Sequence, residues 1–150
     1  MLISSSGALL ALGLVGCSSS ASDETGLIST QDTYEYTIPT ESTEAGSASW
    51  MVQYMPSLDP IPLSEPFELD VVVSRVSDGS PLEGATLSVD AHMPIHDHGM
   101  FVETLTEEVG GGIYRASPLK FHMEGWWTLL VDITADDNTE SVVFNVDCCE

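Results

Sequence analysis

The sequence predicts an all-β protein: an immunoglobulin-like β-sandwich of about seven strands, preceded by a signal peptide and a disordered linker. Three observations predict it. Apolar and polar residues alternate with a period of two in several short windows from Trp50 onward. Turn-forming clusters separate these windows at regular spacing. No window beyond the N-terminal apolar run holds a helical period.

The elements follow in order. Residues 49–55 (SWMVQYM) read as a first strand. Residues 56–66 carry four prolines, which lack ladder donors, so this segment is a loop or an irregular edge. Residues 67–76 place Phe67, Leu69, Val71 and Val73 on one face. Residues 77–84 (SDGSPLEG) combine Asp-Gly, Pro and Gly, which is turn chemistry. Residues 85–93 alternate again, with Ala85, Leu87, Val89, Ala91 and Met93 facing inward. Residues 101–109 form a weaker strand, Gly110 to Gly112 break it, and residues 113–119 resume the pattern. Residues 126–135 and 140–147 are the last two strands, divided by Asp136, Asp137 and Asn138. The immunoglobulin pattern of Cys, Trp and Cys is absent, so the expectation concerns architecture alone.

Ahead of the domain, at residues 49–147, lie two segments of different composition. Residues 7–16 (GALLALGLVG) are an apolar run too short to span a bilayer but suited to a signal-peptide core, so residues 1–16 read as a lipoprotein signal peptide. The run ends in Leu14-Val15-Gly16-Cys17, which looks like a bacterial lipobox, with Cys17 as the lipidated residue. The usual basic start is missing from MLISSSG, which suggests a start further upstream. Residues 17–48 are rich in Ser, Thr, Asp, Glu and Gly, and bury too little surface to offset the entropy of ordering. They read as a flexible acidic linker. The expected location is the bacterial cell envelope, lipid-anchored, periplasmic or surface-exposed.

Charge narrows the function. The chain has 24 acidic and 3 basic residues, for a formal net charge of -21. Nucleic-acid binding needs a basic surface, so no nucleic-acid partner is expected. An anionic lipid surface is excluded for the same reason, and the membrane contact expected is through the lipid anchor. Cys148 and Cys149 are adjacent near the C-terminus, where they could pair with each other or with other molecules, or act as soft metal ligands. No zinc or redox CxxC motif exists.

The stretch AHMPIHDHGMF (91–101) holds three of the four histidines and two of the six methionines. Met93 faces the core and His92 the opposite side. Pro94 ends regular pairing. If the next residues are extended, His96 and His98 project together, and Gly99 lets the chain bend before Met100. Imidazole suits copper, zinc, iron and nickel, and thioether sulfur favours Cu(I), so the mixture points first to a copper ion. Asp97, between the histidines, should point away from them and could hold an imidazole N–H instead. A solvated turn with a core methionine is the bland alternative. Further on, Phe121, Met123, Gly125 and Trp127 alternate strictly, which as a core-facing strand would leave His122 on the wet side.

These residues resemble the YtkA-like family, related to the periplasmic part of FixH-type proteins, over about residues 50–147. The most specific parts are Met93-Pro94-Ile95-His96-Asp97-His98 and Phe121-x-Met123-x-Gly125-x-Trp127. The resemblance implies an exported immunoglobulin-like sandwich linked to copper handling or oxidase assembly. FixH-type proteins carry a membrane helix, where this chain has a lipobox. Family members often have Met where this chain has His96, which shifts the expected preference toward Cu(II) or a mixed-valence site.

The site expected is therefore metal-binding, with His96 and His98 as principal ligands, Met100 and Met123 as soft ligands, and His92 or His122 completing the set. The partners expected are a metal ion and an envelope protein. The alternative is a metal-free immunoglobulin-like envelope module with incidental histidines. No enzyme is expected: no Ser or Cys is placed for a triad, and blue-copper ligation would need a cysteine near the loop.

Overall fold

The computed structural model describes residue 42 and residues 44–149; the signal peptide, Cys17 and most of the linker lie outside the described residues. There are nine strands: β1 (Glu44–Gly46), β2 (Trp50–Pro56), β3 (Phe67–Arg75), β4 (Thr86–Met93), β5 (His98–Gly99), β6 (Leu105–Gly110), β7 (Ile113–Leu119), β8 (Gly125–Ala135) and β9 (Asn138–Cys148). They form two antiparallel sheets, ordered β1-β2-β3-β7-β6 and β5-β4-β8-β9. The order β2-β3-β7-β6 against β4-β8-β9 is that of immunoglobulin strands A-B-E-D against C-F-G, with β5 in the place of C′. The fold is an immunoglobulin-like β-sandwich.

Alternation builds the core. Phe67, Leu69, Val71 and Val73 of β3 face Leu87, Val89, Ala91 and Met93 of β4, and all are buried. Trp127, Leu129, Val131 and Ile133 of β8 and Val142, Phe144 and Val146 of β9 complete the second layer. No polar or charged residue is buried among the described residues, so the core depends on apolar burial and ring packing. Tyr114 brings its hydroxyl to the edge of this core. It donates to the Leu82 carbonyl (2.8 Å) and accepts from the Ala85 N–H (3.0 Å), fastening the β3–β4 connection to β7.

Three details differ from the sequence expectation. Two strands join the seven: β1 falls within the expected linker and pairs with β2, and β5 falls within the expected loop. The weak strand at 101–109 begins at Leu105 instead, leaving Phe101 exposed. The glycine break after β6 is a two-residue hairpin loop: Gly110 pairs with Ile113, and Gly111 and Gly112 both take positive φ, 65° and 75°. That is the loop geometry whose twist suits two antiparallel strands.

The second sheet has unequal edges. β5 is two residues long, whereas β9 runs for eleven residues and, among the described residues, pairs with β8 alone. Near the start of β9, Glu140 reaches across to the turn before β2. Its carboxylate accepts from the Ser49 N–H (3.0 Å) and hydroxyl (2.5 Å) and from the Asn138 amide (2.5 Å). Bonds from the Ser47 and Ser49 side chains, chiefly, hold its pKa down to about 2 from 4.5. A depressed carboxylate pKa contributes stability that is present above the unfolded value and lost as pH falls through the folded one. Glu140→Gln should therefore flatten the loss of stability between about pH 4.5 and 2. Urea melts at pH steps across that window would show it; identical acid limbs would count against the tether.

Candidate metal-binding tip

The stretch between β4 and β5 is a hairpin, not an extended loop. Met93 pairs with His98, and Pro94 to Asp97 make the turn between them. The His96 N–H donates to the Met93 carbonyl (3.2 Å). Asp97 takes φ 52°, a left-handed conformation that aspartate tolerates better than most residues. The bend expected at Gly99 is thus made two residues earlier. Gly99 itself lies flat in β5 and pairs with His92. After it, the Met100 N–H donates to the Ala91 carbonyl (3.2 Å), and Met100 packs half-buried against the core.

Because His98 is the cross-strand partner of Met93, it stands on the core face of this sheet. His92 lies on the other face. Its Nε2 sits 3.3 Å from Asp97 Oδ1, so Asp97 holds an imidazole, that of His92. His92 is not among the rings that gather at the tip.

The ring that meets His98 is His122, which comes from the segment before β8. That segment is pinned from several sides. The Ser64 N–H donates to the Phe121 carbonyl (2.7 Å) and the Trp127 Nε1–H to the Met123 carbonyl (3.0 Å). Phe121 stacks on Trp127, with ring centres 4.7 Å apart and planes 8° from parallel, and meets Phe67 edge-on at 5.3 Å. Met123 turns outward at 36% exposed, so the strict alternation breaks at this residue.

His98 and His122 have ring centres 4.7 Å apart, and each meets Trp127 edge to face, at 5.6 and 5.5 Å. Phe101 covers them from outside, 4.4 Å from His122 and 6.0 Å from His98, and is itself 79% exposed. His96 stacks on His98 at 5.9 Å. The result is an imidazole pair between an indole wall and a phenyl cover.

Two atoms in this pair decide what it can do. His98 Nε2 and His122 Nδ1 are buried and have no hydrogen-bond partner. Buried polar atoms are nearly always satisfied, so two idle nitrogens in touching rings call for an explanation. The Nδ1 of His98 lies 3.3 Å from the Gly99 carbonyl. If it carries the proton, Nε2 is left with a free lone pair, the ligating tautomer. Burial, then His98, then Lys120 hold the His122 pKa below the ordinary histidine value, which favours its neutral form. Among the described residues, no group of three or more His, Cys, Asp or Glu side chains stands ready to hold a metal ion. The tip therefore offers a nitrogen pair with methionines nearby in sequence. Cys148 and Cys149 stand side by side at the end of β9.

The expected residues thus divide. His96 and His98 are together, by a turn instead of an extended chain. Met100 and Met123 flank the histidines in sequence, and His92 is turned away. His122, foreseen as an alternative to His92, is the one that reaches His98. Phe101 had no signal in the sequence, because its contact depends on where β6 starts.

An immunoglobulin-topology sandwich whose described histidines gather near one end defines a small all-β domain. The YtkA-like family model matches residues 59–132 of the chain. Among solved structures it is similar to a DUF4426 family protein from Pseudomonas aeruginosa PAO1, with TM-score 0.51 and 13% identity. That match covers 70% of this chain and 92% of the other, and at this identity it bears on the fold alone. No curated protein matches.

Proposed function

We propose that this protein is an exported, lipid-anchored metal-binding protein that takes up copper at the His98/His122 tip and hands it on in the cell envelope. The observation that carries the reading is the pair of buried, partnerless ring nitrogens. Satisfying them with a metal ion removes the cost of leaving them idle. Copper is the cargo, and the chain's part is to hold and release it. The Gly99 carbonyl lies 3.3 Å from His98 Nδ1, burial favours the neutral form of His122, and Phe101 and Trp127 flank the two rings. The net charge of -21 raises the local concentration of cations. The lipobox-like Leu14 to Cys17 supports an anchor at Cys17 and a periplasmic or surface location.

The purified full-length chain in detergent, titrated with copper against a competing chelator, tests this. It should take up one equivalent that the His98→Ala/His122→Ala variant loses. Equal uptake by both proteins would remove the tip from consideration. A folded chain that binds no copper would favour a metal-free envelope module. Cys17→Ser should move the protein out of the membrane fraction, and unchanged fractionation would end the anchor proposal.

A further inference from the structure

We propose that the open groove between the end of β2 and the end of β9 is a docking surface for an extended peptide, and that its occupant is this chain's own segment at residues 36–41. Neither the histidines nor a metal ion enters into it.

The lining selects for an uncharged, partly apolar occupant. The groove holds about 1070 Å³ of open space. Tyr54, Pro56, Pro60 and Ile61 line it from β2 and the loop that follows, and Gly125 and Cys148 line it from the second sheet. Tyr54 belongs to the core and Ile61 packs against it, so this lining is apolar. The carboxylates of Asp59, Glu124 and Asp147 stand exposed around it, and among the described residues no Lys, Arg or His joins them. Such a surface repels an acidic chain and accepts a neutral one with apolar side chains to bury.

The path of the chain delivers that occupant. β1 pairs antiparallel with β2, with Gly46 opposite Met51 and Glu44 opposite Gln53. Traced backward from Glu44, the chain runs toward the far end of β2, and Ser42 is itself part of the groove lining. Pro56 ends β2 and has no N–H for a further rung, so the ladder cannot carry the chain past this point. β1 also touches β9, so the chain reaches Ser42 between the edges of the two sheets. The compact unit that holds the sandwich is Tyr36–Glu150, which takes in the residues leading to Ser42.

The sequence of the segment matches the groove. Residues 36–40 (YTIPT) carry no charge, although Glu35 and Glu41 bound them on either side. Tyr36 and Ile38 are two positions apart, so an extended chain presents both on one face. That face meets the apolar lining and leaves Thr37 on the water side. Pro39 holds itself and Ile38 in extended geometry without needing a ladder partner.

Hydrogen exchange read by mass spectrometry on the full-length chain tests this. The amides of Thr37, Ile38 and Thr40 should exchange about 10- to 100-fold more slowly than those of an unstructured chain. Tyr36→Ser/Ile38→Ser should abolish that protection while β2 and β9 keep theirs. A synthetic peptide of residues 34–43, followed by chemical-shift titration, should bind the double variant about tenfold more tightly than the unaltered chain, whose groove is filled. Unstructured-chain exchange at residues 37–40 of the unaltered protein would overturn the proposal, as would protection that survives the double substitution. Equal peptide binding by both proteins would mean that the groove stands open for another partner, and would overturn the assignment of its occupant. Protection that grows with protein concentration would give the groove to a second copy and overturn the assignment within one chain. Loss of protection in β2 and β9 along with the segment would make residues 36–41 part of the core and overturn the docking surface.

Discussion

Replacing His122 with phenylalanine is expected to make the metal-free domain more stable, by about 1–2 kcal/mol. His122 Nδ1 is buried without a partner, and the ring is flanked by Phe101, Trp127 and His98. A phenyl ring fills similar space, adds an aromatic contact and removes the idle atom. For a domain near this size, 1 kcal/mol moves the melting temperature by roughly 4–8 °C, so thermal melts without metal can resolve the effect. The same variant should lose its response to copper. Gain in stability with loss of binding is the mark of a group kept for function at the fold's expense. A lower melting temperature in His122→Phe would mean that the nitrogen is satisfied in solution, and the case for an idle ligand would collapse.

A larger effect, in the other direction, is expected at Gly112. Its φ is +75°, and an added Cβ would lie 2.6 Å from the Val73 carbonyl oxygen, 3.0 Å from Pro81 Cβ and 3.1 Å from the Leu82 nitrogen. Two of these atoms are backbone, already joined by the Leu82 N–H bond to the Val73 carbonyl (2.9 Å). The Val73 N–H also donates to the Gly112 carbonyl (2.8 Å), so the hairpin loop is locked against β3 at closest approach. Gly112→Ala should cost about 3–5 kcal/mol, combining left-handed strain with displacement of paired backbone. Gly111 is the internal control. It has φ +65° and open space where a Cβ would go, so Gly111→Ala should cost only about 1 kcal/mol. Equal losses in the two variants by chemical denaturation would show that strain alone acts at position 112.

Much of this fold can be read from alternation. Residues 67–75, 86–93, 125–135 and 138–148 bury every second side chain for most of their lengths, and each was expected as a strand within about two residues. β1 and β5 were missed because strands of three and two residues contain no period to detect. Their pairing is set by the neighbours they meet. Similarly, the period of two put His96 and His98 together for the wrong reason. A four-residue turn with left-handed Asp97 brings them together, and backbone of that kind leaves only a weak sequence trace. The contact between His98 and His122 spans 24 positions and depends on how β5 and the segment before β8 meet at one end of the sandwich. Local pattern could place each histidine on its element but could not aim two elements at each other. The core role of Met93 and the outward aim of His92 needed only the alternation of β4, and both follow it.

The outer edge of β9 has a colloidal consequence. Among the described residues only β8 pairs with β9, and the stretch of its other edge beyond the Glu140–Ser49 tether is a template on which another copy's strand could grow. Copies that each carry a formal net charge of -21 repel one another, which opposes such pairing. That repulsion reaches only about 8 Å at physiological ionic strength and weakens further in concentrated salt. The surplus of carboxylates therefore opposes contact along the flank of the sheet. Neutralising it with acid or multivalent ions should bring edges into contact and promote aggregation.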